Sequence, residues 1–213
     1  MKISRKAKIK KDVGERKSSK RQIKEQNRTL KNVFLILGTI ILISAGTFLF
    51  FYNLNSFEYR GIKFDVLNEG GITFYHTSFP AIINGTEVDY NVYIRNDPRK
   101  LEKEIHFEGS MYLPLAFVVN NTENFICDGD GGISMYNLNQ VFNAFRTDLI
   151  KDPDATCDAF GRYGYLQVQE GNLSGVGQFG PACYLLQINN CEILKVTERF
   201  LVEALVKNNE MRS

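Results

Sequence analysis

The sequence predicts an α+β or α/β fold: a single N-terminal transmembrane helix followed by one mixed-sheet outer domain. Three observations carry this reading. Charge is split along the 213 residues, an uncharged apolar run separates the two halves, and beyond that run strand-like patterning gives way to helix-like patterning.

Residues 1–32 hold 13 of the 26 Lys and Arg and only Asp12, Glu15 and Glu25 as acids, a net of +10. The remainder holds 13 basic and 21 acidic residues, a net of −8, so the total of +2 averages two opposite halves. A plain soluble cytosolic enzyme is excluded. The tail has few apolar residues at helical spacing and is expected to be solvated and mostly disordered when no partner is present. Its chemistry is its charge. An anionic leaflet attracts each Lys or Arg by about 1 kcal/mol within a Debye length, so anionic lipid contact through the tail is one expected use. Nucleic acid would attract the same charge without reading sequence, so no specific nucleic-acid partner is implied.

Residues 33–52 read VFLILGTIILISAGTFLFFY, twenty residues with no charge and no Pro. As a helix they rise about 30 Å, the thickness of the hydrocarbon core, which makes the lipid bilayer the first partner. Phe48, Phe50, Phe51 and Tyr52 crowd one end, where aromatic rings favour the interface. Only Arg60 and Lys63 are basic in the 33 residues that follow, so the positive-inside bias puts the N-terminus in the cytoplasm and the C-terminal domain outside the cell membrane. Ser44, Ala45 and Gly46 resemble a signal-peptidase site, but the apolar run continues past them, which favours an uncleaved signal-anchor.

Residues 53–213 are enough for one domain with its own core. All four cysteines, Cys127, Cys157, Cys183 and Cys191, lie there, on the side where oxidation occurs, and are read as two disulfides. Paired C-x-x-C ligands for zinc are absent. An extended segment from Cys183 to Cys191 would hold those two too far apart to bond. If the strand ending near Gln169 and the one beginning at Cys183 run antiparallel, the pairs are Cys127 with Cys183 and Cys157 with Cys191; parallel strands give the reverse arrangement. Asn84, Asn120 and Asn172 begin N-x-S/T sequons that permit glycosylation.

The first half of the domain reads as an antiparallel meander, with strands over 59–66, 72–79 and 88–95 divided by Glu69-Gly70-Gly71 and Asn84-Gly85. Asp97-Pro98 breaks it, and residues 99–105 suit a turn or two of helix. Residues 113–119 suit a buried strand. Leu138, Val141, Phe142, Phe145 and Leu149 then recur at helical spacing, with Asp152-Pro153 as the stop. Strands follow over 163–169 and 183–188, and a helix over 193–207 closes the chain with Phe200, Leu201, Ala204 and Leu205 facing inward. This order is mixed α/β.

Chemistry-bearing motifs are sparse, and no cofactor is implied. Gly175-Val176-Gly177-Gln178-Phe179-Gly180 matches the dinucleotide pattern, but Pro181 and a strand follow where a helix N-terminus is required, so the run reads as a glycine-rich connection. Asp128-Gly129-Asp130 and Asp152-Pro153-Asp154 begin like calcium loops and then depart from them at Ile133 and Tyr163. His76 and His106 are the only neutral-pH bases and sit in no metal or triad motif. Glu198 and Arg199 are adjacent and do not share a helix face; one of them is expected to anchor the last helix to the loop containing Arg95, Asp97 and Arg99.

The run Tyr90-Asn91-Val92-Tyr93-Ile94-Arg95-Asn96-Asp97-Pro98-Arg99-Lys100-Leu101, with Cys183-Tyr184, Asn190-Cys191-Glu192-Ile193-Leu194 and Thr197-Glu198-Arg199-Phe200, resembles a group of uncharacterised single-pass membrane proteins of archaea. The resemblance implies a prokaryotic cell-surface topology with an outer α/β domain and implies no activity. Two classes of function are expected. The first is a membrane-anchored extracytoplasmic binding or assembly module with an envelope protein partner. The second is an extracellular hydrolase or transferase that assembles dispersed carboxylates, such as Asp128 and Asp130, with a histidine.

A peptide of residues 1–31 is predicted to bind anionic vesicles and to lose that binding steeply as salt rises to physiological levels, measured by co-sedimentation. Equal binding to neutral vesicles would contradict an electrostatic contact.

Overall fold

A computed structural model describes residues 25–49, 55–83, 85–121 and 125–212. The chain divides into two units at Leu54 and Asn55. In the first, helix α1 (Glu25–Leu49) is long and apolar enough to cross a membrane. Its described residues include 25–32, the end of the charged tail, which is helical because extending a formed helix costs far less than nucleating one. Residues 1–24 and the aromatic end at Phe50, Phe51 and Tyr52 lie outside the described residues.

The second unit is α+β. Strands β1 (Ser56–Tyr59), β2 (Ile62–Glu69), β3 (Ile72–Ile83) and β4 (Thr86–Ile94) form an antiparallel sheet in that order. Residues 59–66, expected as one strand, are split by a tight turn at Arg60 and Gly61, whose φ values of 49° and 78° both lie in the left-handed region. A two-residue turn of that kind closes a hairpin, and only one of its residues is the glycine that adopts such φ freely.

Helix α2 (Pro98–Glu104) is capped by Asp97, whose carboxylate accepts from the Arg99 N–H. The second sheet follows, in the order β5-β9-β10-β8-β6-β7. Its strands are β5 (His106–Glu108), β6 (Ala116–Asn121), β7 (Asp148–Lys151), β8 (Gly164–Glu170), β9 (Gly175–Gly180) and β10 (Cys183–Ile188). Helix α3 (Asp130–Ala144) makes the crossover from β6 to its parallel neighbour β7. The helix ends before Leu149, because Arg146 takes a φ of 63°, and Leu149 belongs to β7 instead.

Two corrections follow from β9. The glycine-rich run is a strand, antiparallel to β10 and parallel to β5, and not a connection. Its insertion returns the chain so that β10 lies parallel to β8, with Cys183 beside Tyr165. The pairing expected from antiparallel strands is therefore wrong, and the reverse arrangement forms. Cys127 bonds Cys191 and Cys157 bonds Cys183, with Cα separations of 5.4 and 5.7 Å. Gly180 is glycine because a Cβ there would stand 2.7 Å from Cys157 Sγ.

Helix α4 (Ile193–Glu210) packs against α2, α3, β2, β9 and β10 and is buried along most of its length. Phe200 meets Phe117, Phe142 and Tyr184 in one aromatic cluster. The Tyr184 hydroxyl donates to Ser110 O and accepts from the Tyr112 N–H, tying down the chain between β5 and β6.

The two disulfides cross-link residues 64 and 26 positions apart. In the loop-entropy account they contribute about 4 and about 3.5 kcal/mol. Replacing Cys127 and Cys191 by alanine is predicted to lower the urea midpoint more than replacing Cys157 and Cys183. The opposite ranking would show that the closed loops stay structured in the unfolded chain.

Candidate functional site

The β1–β4 meander does not stay paired along its whole length. β2 pairs with β1 from Ile62 to Asp65 but with β3 only from Asp65 onward, the last matched pair being Asp65 and His76. Beyond it β3 continues beside β4 alone, to Ile83 opposite Thr86. The two strands therefore diverge, and a cavity of about 300 Å³ opens between them, closed at one side by the end of α4.

Backbone direction around this cleft follows from one hydrogen bond. The Val66 N–H donates to Asn55 O, on the β1 side. Alternation along the strand then turns Asp65 and Leu67 toward β3, and His76, Ser78 and Pro80 toward β2. Past His76 that edge of β3 faces the cleft. Pro80 fits there because its missing N–H is no loss where no ladder continues.

Ile62, Phe79 and Leu205 supply apolar lining, and Lys63, Asp65, His76, Asn208 and Arg212 supply polar lining. His76 Nε2 stands 2.8 Å from Asn91 Oδ1, its ring lies 4.8 Å from that of Tyr93, and Nδ1 is 4.0 Å from Asp65 Oδ2. With Asn91 accepting, the Nε2 proton is engaged. Asp65 is also 3.7 Å from Lys63 Nζ. Asn208 is 7% exposed, and its carboxamide makes no hydrogen bond to a described residue.

Sequence reasoning missed this cleft. Its one local signal is Pro80 inside an otherwise strand-like run. The carboxylates singled out from sequence stand elsewhere: Asp128 occupies a short 3-10 turn, Asp130 begins α3 with Oδ1 3.6 Å from Arg95 Nη1, and neither lines the cleft. His106 opens β5 and is exposed. Asp152 caps its own turn, accepting from the Asp154 N–H. Among the described residues no three His, Cys, Asp or Glu come together as a metal site.

Of the sequons, Asn84 lies outside the described residues. Asn120 Nδ2, the atom a glycan would need, donates to Pro153 O and Ala155 O. Asn172 is exposed in the turn between β8 and β9.

Behind the sheet, α4 carries three charged side chains into the interior. Glu198, 1% exposed, accepts from the Arg95 N–H at 2.7 Å, the Asn96 N–H at 2.9 Å and Asn96 Nδ2 at 2.7 Å. The expected anchor to the Arg95 loop is thus Glu198. Arg199 turns away, donating to Ile105 O and pairing with Glu203, which also holds Arg60 from the β1–β2 turn. Burial pushes the Glu198 carboxyl up to about 7, against the pull of the three donors and of Arg95. Asp158 moves the other way, held down to about 2 by hydrogen bonds from Arg162.

No protein-family model, no curated protein and no solved structure matches the chain.

A carboxyl with a raised folded-state pKa stabilises below its ordinary value and loses that stabilisation as pH rises through the folded value. For Glu198 the window runs from about pH 4.5 to about 7, and the loss is on the order of 3 kcal/mol. Asp158 acts in the opposite sense, below about pH 4. The urea midpoint is therefore predicted to fall between pH 5 and pH 8, and Glu198→Gln, neutral throughout, to flatten that slope. A native midpoint that rises over this range would contradict the assignment.

Proposed function

We propose that this protein is a membrane-anchored extracytoplasmic binding module. α1 holds it as an uncleaved signal-anchor, the basic tail faces the cytoplasm beside anionic lipid, and the disulfide-bonded domain faces outside, where it engages an envelope protein. The resemblance to archaeal single-pass proteins belongs to the same proposal. The observation that carries it is the cleft between β2 and β3. The Asn208 carboxamide, on a residue only 7% exposed that lines the cleft and makes no side-chain hydrogen bond to a described residue, and a strand edge turned inward are features suited to holding a ligand. The His76 ring beside them spends its Nε2 proton on Asn91 Oδ1, which favours a positioning role over proton transfer to a ligand.

The test is purification of the intact protein from its own membranes in mild detergent. A partner retained in fixed ratio by the native chain, and lost when Ser78→Trp fills the cleft, is the expected result; retention by both would overturn the reading. Protease added to intact cells is predicted to digest the C-terminal domain and spare the basic tail. Cleavage of the tail alone would reverse the topology.

A further inference from the structure

The cleft has a chemistry more specific than a general docking surface, and four of its features point in one direction. The inward edge of β3 at Ser78 and Pro80 is main chain, which is the partner an extended peptide pairs with when it adds to an opened sheet. The Asn208 carboxamide, on a residue 7% exposed that lines the cleft, carries both donor and acceptor, matching the two sides of a peptide group. Ile62, Phe79 and Leu205 give an apolar floor. At the rim, the Arg212 guanidinium has no ion-pair partner among the described residues, whereas Asp65, the one carboxylate on the lining, stands near both Lys63 and His76.

An apolar floor, amide-reading groups and a guanidinium without a carboxylate of its own are complementary to the end of a polypeptide. Resting on the binding-module reading above, we propose that the cleft captures the free C-terminus of an extended peptide whose last residue is apolar. Arg212 takes the terminal carboxylate in a charge-assisted pair, the edge of β3 at Ser78 pairs with the ligand main chain, and Asn208 reads the last peptide group. The last side chain sits on Ile62, Phe79 and Leu205. A cavity of about 300 Å³ accommodates only the final residues, so the rest of the ligand lies outside.

The full chain in detergent micelles is titrated against a fluorescein-labelled tetrapeptide of glycine, glycine, alanine and leucine, read by anisotropy. Three versions are compared: the free acid, the C-terminal amide, and the free acid with aspartate in place of leucine. The free acid is expected to bind at least tenfold more tightly than either of the others, and Arg212→Gln, a change at an exposed position, to abolish the preference of acid over amide. Equal affinity for acid and amide, a preference that survives Arg212→Gln, or no binding of any version overturns the proposal. The broader reading fails separately: it falls if native and Ser78→Trp chains retain the same partner, and it stands if a partner is lost from Ser78→Trp while the free acid and amide bind alike.

Discussion

A carboxyl group carried into a region that water does not reach has to be met by donors from the chain around it, and Glu198 is where this requirement organises the domain. It lies on α4, the helix that both sheets share, and its donors come from the Arg95–Asn96 backbone immediately after β4. The meander is thereby fixed to the helix at the point where the first sheet ends and α2 begins. One turn further along α4, Glu203 does the same for the opposite end of the meander through Arg60, and Arg199 completes the set by satisfying Ile105 O ahead of β5. Apolar packing on Phe200 and Leu201 supplies area, but packing alone is compatible with several rotations of a helix against a sheet. The three polar contacts select one.

That selection leaves the other end of α4 free to do something else. Asn208 closes the last buried turn, Asn209 and Arg212 follow it, and Asn209 Nδ2 donates to Gly61 O, so the helix end stays beside the β1–β2 hairpin while β3 moves away. The opening between β2 and β3 is therefore walled by an element whose position is set elsewhere, and it can persist without ladder bonds across it.

Much of this was legible in the residues. The apolar run and charge split gave α1 and a separate acidic domain, and the hydrophobic spacing of Phe200, Leu201, Ala204 and Leu205 found α4. Even the pairing of an α4 charge with the Arg95 loop could be read, because adjacent Glu198 and Arg199 have to face different neighbours. What could not be read was whatever depended on backbone conformation at residues with no turn signature. Arg60 and Arg146 take left-handed φ although neither is Gly, Asn or Asp, so a strand was read through the first and a helix through the second. The same holds for β9, whose glycines look like a loop until strands on both sides supply its hydrogen bonds. Missing that strand reversed the direction assigned to β10, and the disulfide pairing with it. The cleft was illegible for a different reason. It depends on where a register stops, and no residue type marks that position beyond the proline that tolerates it.

The way the chain enters the second unit has a mechanical consequence. Asn55 leads directly into β1, which is an edge strand and is joined to the sheet by a short ladder with β2. A pull on Asn55 directed along the axis of β1 would load its ladder bonds together, in shear, and would not peel them one after another. At the far end of that strand the turn bearing Arg60 is clamped to Glu203 on the central helix. Tension applied at Asn55 would thus pass through β1 and Arg60 into the core, and the first strand of the unit would double as its strain relief.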